Sequence, residues 1–80
     1  MENGMQMEFH LGGMVKRTRQ ESLPHHGMTL NVGANGTLIE AKVTSVMPKS
    51  GDMTFVVKLT PNTNVDDAIL HKEGWRPNPN

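Results

Sequence analysis

The 80-residue chain has no cysteine, and its eight basic and eight acidic side chains cancel. A domain this short buries only roughly 60–65% of the surface its unfolded chain exposes, so its net stability is a few kcal/mol. With disulfides and thiolate-held zinc excluded, oligomerisation is the remaining common support at this size, and the missing cysteines fit a reducing compartment. Neutral charge disfavours a dedicated electrostatic nucleic-acid binder. Apolar runs of only a few residues predict no transmembrane helix. Glu2, Glu8 and His10 stand where a secretory signal needs a basic start and an apolar stretch, so the expected location is the cytoplasm.

In the first informative stretch, Met5, Met7, Phe9 and Leu11 alternate with Gln6, Glu8 and His10. That period of two predicts a half-buried strand. Gly12-Gly13 then suits a two-residue hairpin loop, because primed turns need positive φ. The return strand over 14–19 carries Lys16, Arg17 and Arg19, which marks it as a charged edge strand. Residues 21–27, with Pro24, His25, His26 and Gly27, break the pattern into a loop.

Alternation resumes with Met28, Leu30 and Val32. Gly33-Ala34-Asn35-Gly36 predicts a hairpin turn, with Asn35-Gly36 as the favoured dipeptide. The next strand is expected over 37–47, with Ile39, Ala41 and Val43 inward. At Ser45-Val46-Met47 the phase slips by one residue, which predicts a bulge. After a turn over 48–52, Met53, Phe55, Val57 and Leu59 face the core in the most regular strand of the chain, which Thr60-Pro61 stops. A short helix follows, with Asn64 as N-cap, Asp66 and Asp67 in its first turn, His71 and Lys72 in its last, and Gly74 as its stop. Val65, Ala68, Ile69 and Leu70 give it an apolar side.

These elements predict a mainly β domain over residues 1–75. Its expected form is a five-stranded antiparallel meander, curled into an SH3-like or OB-like barrel with a short C-terminal helix as plug. A flat sheet covered by the helix is the alternative. Residues 76–80 read as a polar, frayed tail.

No catalytic set, phosphate-cradling glycine motif or paired carboxylate is visible, so the chain reads as a non-enzyme without cofactors. The leading expectation is a small interaction module, self-associating and binding a protein partner through a strand edge or the Trp75 region. Trp75 has two readings: it folds back over the end of the barrel, or it stands exposed with Arg76 as a partner anchor. Lys16, Arg17 and Arg19 are the candidate phosphate contacts of a nucleic-acid reading. That reading lacks free stacking aromatics, since Phe9 and Phe55 fall on core positions. Adjacent His25 and His26 point apart on extended backbone and make no evident metal site.

Seven methionines raise soft-metal binding, because thioethers suit Cu(I). The segments Asp52-Met53-Thr54-Phe55 and Leu59-Thr60-Pro61-Asn62-Thr63 together resemble a short part of the small periplasmic copper-binding barrels of metal-efflux systems. What that resemblance implies is copper binding with Met53 on a ligand position; the histidine and tryptophan ligands have no counterpart here. The methionines otherwise read as core fillers.

Overall fold

The computed structural model describes residues 4–33, 36–49, 51 and 53–78. Its strands are β1 (Met5–Leu11), β2 (Met14–Gln20), β3 (Thr29–Asn31), β4 (Glu40–Pro48), β5 (Thr54–Pro61) and β6 (Arg76–Pro77), with one helix, α1 (Asp67–Lys72), between the last two. They form a single six-stranded sheet in the order β3-β4-β5-β1-β2-β6.

β1 and β5 run parallel, with Met7 beside Phe55 and Phe9 beside Val57. The sheet is therefore mixed, which corrects the antiparallel meander. The physical reason lies in burial. Met7, Phe9 and Leu11 are all buried, and so are Val57 and Leu59. Strands with this much apolar surface take central places, and placing them side by side puts both apolar rows over one core. The expected barrel is also not closed, because β3 and β6 end the sheet without pairing with each other.

Local chemistry accounts for the remaining boundaries. The phase slip appears as a bulge between Val43 and Ser45. β4 starts at Glu40 rather than at residue 37, because Asn31 reaches across the preceding loop. Its Oδ1 accepts from the Gly33 amide at 3.0 Å and from the Ile39 amide at 3.1 Å. Gly33 backs onto the carbonyl of Thr37, which leaves no room for a Cβ. Ala34 and Asn35 of the expected turn, like Ser50 and Asp52 of the next one, lie outside the described residues.

The helix is capped by Asp66 and not by Asn64. Asp66 is extended, and its carboxylate accepts from the Ala68 amide at 3.1 Å. At the other end the Gly74 amide donates to His71 and the Trp75 amide to Leu70. With Gly74 at φ 98°, this is a Schellman motif, a left-handed stop that reverses the chain. The reversal carries Trp75 under the sheet, where it is 0% exposed in a core that includes Phe9, Leu11, Met14, Val57 and Leu70.

The chain then adds a strand where a frayed tail was expected. Arg76 pairs with Val15 and Pro77 with Met14, and the Asn78 amide donates to the Gly13 carbonyl. Pro79 and Asn80 lie outside the described residues. Trp75→Ala is predicted to cost about 3–5 kcal/mol, most of the stability of a domain this small. Urea unfolding followed by circular dichroism measures it, with a large fall in midpoint expected.

Candidate functional site

The two ends of the sheet curl toward each other without meeting. Between β2 and β3 lies a cavity of about 220 Å³, lined by Lys16, Thr18 and Gln20 on one side and by Leu30, Asn31 and Val32 on the other. Phe9 and Trp75 also line it.

Strand alternation explains its composition. Side chains two apart share a face, so Met14, Lys16, Thr18 and Gln20 all stand on the concave, core-facing side of β2. Met14 is buried, and Lys16 lies opposite Phe9 of β1. The concave row of β2 thus changes from apolar to polar where the sheet runs out of neighbours. Lys16 is half-buried, and its side chain makes no hydrogen bond or ion pair with any described residue. Its stem runs beside the helix stop, since a Cβ on Gly74 would sit 3.9 Å from Lys16 Cε. The indole Nε1 of Trp75 is fully buried and has no acceptor among the described residues.

The three basic residues of β2 therefore do not form one patch. Lys16 faces the cavity, while Arg17 and Arg19 project from the opposite face of the strand. The Arg17 guanidinium lies 3.4 Å from Glu8, and Arg19 donates to the carbonyl of Gly4. Of the two residues considered as a partner anchor, Trp75 is enclosed and offers no surface, which answers to the reading in which it folds back; Arg76 is exposed. The guanidinium of Arg76 donates to the Trp75 carbonyl at 3.1 Å.

Glu8 occupies the convex face at the centre of the sheet. It is 7% exposed and gathers three partners: Lys49 Nζ at 2.9 Å, the ring of His10 at 3.3 Å, and Arg17. The Lys49 hydrogen bond leads in holding its carboxyl below the ordinary value of 4.5; burial opposes it, and the His10 hydrogen bond and the charges of Lys49 and Arg17 add to it. No periodicity argument singles out Glu8, because its partner Lys49 is 41 residues away in sequence.

His25 and His26 are exposed, and Met53 is 91% exposed. Among the described residues no group of three or more His, Cys, Asp or Glu could hold a metal ion, and no helix is long and apolar enough to cross a membrane. A wider apolar cleft at the far end of the sheet is lined by Met5, Pro48, Met53 and Phe55.

No protein-family model matches the chain, and neither a curated protein nor a solved structure is significantly similar to it.

The Glu8 cluster leads to a pH prediction. A carboxyl whose folded-state value is depressed contributes stability that is fully present above its unfolded value and lost as pH falls through the folded one. Glu8→Gln should therefore cost about 1–2 kcal/mol near neutral pH, and that difference should shrink as pH falls below 4.5. Denaturant titrations of both proteins across that range measure it.

Proposed function

We propose that the chain is a non-enzymatic interaction module that accepts an extended segment of a protein partner along the outer edge of β2. The observation that supports this reading is the length of the neighbouring strand. β6 covers only Met14 and Val15, and among the described residues no strand lies outside positions 16–18.

The phase of the backbone follows from the hairpin. A two-residue loop makes Leu11 and Met14 the first hydrogen-bonded pair, and Phe9 with Lys16 and Met7 with Thr18 are the next such pairs. The amide and carbonyl groups of the alternate residues then point away from β1. The bond from the Asn78 amide to the Gly13 carbonyl has that same phase. The main chain of Arg17 thus turns toward the seam, and an added strand would satisfy it as β6 satisfies Val15.

A second copy of the chain meets the same requirement. Two β2 strands laid antiparallel make a closed two-fold pair, so self-association belongs to the same proposal. The seam beside the edge gives the incoming strand somewhere to place the side chains of one face.

Hydrogen exchange tests the reading. In dilute protein the Arg17 amide should exchange at close to the rate of an exposed amide, while the Lys16 and Thr18 amides are protected by the β1 ladder. An Arg17 amide as slow as its neighbours in the dilute protein would mean that the edge is already covered, and the reading fails.

A further inference from the structure

We infer that the seam between β2 and β3 selects partner strands carrying an acidic side chain, whose carboxylate is taken by Lys16. This rests on the strand-addition reading above and names what that edge recognises.

The size of the cavity sets the class of occupant. About 220 Å³ lies below the roughly 300–1,000 Å³ of sites for drug-sized ligands. It suits one side chain entering from a strand rather than a cofactor lying across the sheet. A strand added outside β2 alternates its side chains, so every second residue points to the concave side where Lys16 and Thr18 stand.

Charge and hydrogen bonding set its chemistry. Among the described residues Lys16 is the one charged side chain lining the cavity, and no carboxylate lines it. The ammonium of this half-buried residue has no counter-charge among the described residues, so an entering carboxylate would pair with it without displacing another partner. The indole N–H of Trp75 lies behind this lining, buried and without an acceptor among the described residues, so it neighbours the cavity without reaching into it. Thr18 and Gln20 are already joined to each other on the rim, and the Oδ1 of Asn31 is engaged by two backbone amides. The ammonium left without a counter-charge calls for an anionic acceptor, and an ionised carboxylate is the side-chain group of that kind.

The charge on β2 excludes the opposite choice. A partner residue with a cationic end would bring like charge to Lys16.

The test is selection from a displayed library of random heptapeptides by the whole chain. Expected is enrichment of Asp or Glu at one position of the recovered sequences. Lys16→Glu should turn that preference to Lys or Arg, and Lys16→Met, which keeps the apolar stem, should abolish it. The chain has a single tryptophan, so its one indole N–H resonance reports the site directly. That resonance should move on titration with a synthetic selected peptide. The same peptide with Gln in place of the acidic residue should bind about tenfold more weakly or worse. Enriched peptides with no acidic preference, or with a preference unchanged in both Lys16 variants, would overturn this inference and leave strand addition standing. A library that yields no peptide would overturn strand addition itself.

Discussion

The burial of Trp75 is the interaction on which the rest of the arrangement depends. Eleven apolar residues are buried among the described residues, which leaves little core to spare, and this residue is the largest of them. It reaches the core because Gly74 adopts φ 98° and the helix ends in a bonded reversal. Without that turn the segment after α1 would leave along the helix axis. With it, the two following residues are delivered to β2 and add a strand. One glycine, left-handed where the helix stops, therefore fixes both the centre of the core and one end of the sheet.

The same economy leaves the sheet open. Its central strands, β1 and β5, carry the apolar rows, and the outer strands carry progressively less. β3 is three residues long, and β6 is two. Neither is long enough to meet the other across the seam. Polar residues occupy the concave face where closure would have needed apolar ones, so Lys16, Thr18 and Gln20 stand at a boundary between core and solvent. An exposed edge is usually blunted by charge, and the outward row of β2 has that charge in Arg17 and Arg19. The inward row does not blunt anything; its ammonium faces a cavity. The convex face, by contrast, is electrostatically settled, with Glu8 answering Lys49, Arg17 and His10.

Much of this was legible in the residues. The alternation from Met5 to Leu11 and the paired glycines after it read directly as a hairpin, because side-chain period and turn conformation are local properties. The bulge in β4 was legible for the same reason, as a slip in phase. Pairing was not. Alternation says which face of a strand is buried but not which strand lies beside it, and the parallel contact of β1 with β5 joins residues about 48 apart. The cap at Asp66 was missed because Asn64 is an equally good capping side chain, and only the backbone decides between them. The division of Lys16 from Arg17 and Arg19 was implicit in the period of two, yet reading the three as one basic cluster concealed it. The cavity had no signal of its own, since its walls come from opposite ends of the sheet.

A free edge on β2 and a cavity beside it require that β2 and β3 face each other across an open seam. The most direct measurement is a set of interproton contacts along the backbone in solution. A continuous ladder between β1 and β5 in parallel register is predicted, with Met7 beside Phe55, and no ladder between residues 16–18 and Thr29–Asn31. Backbone contacts joining those last two segments would mean a closed barrel, with no free edge and no cavity for a partner's side chain.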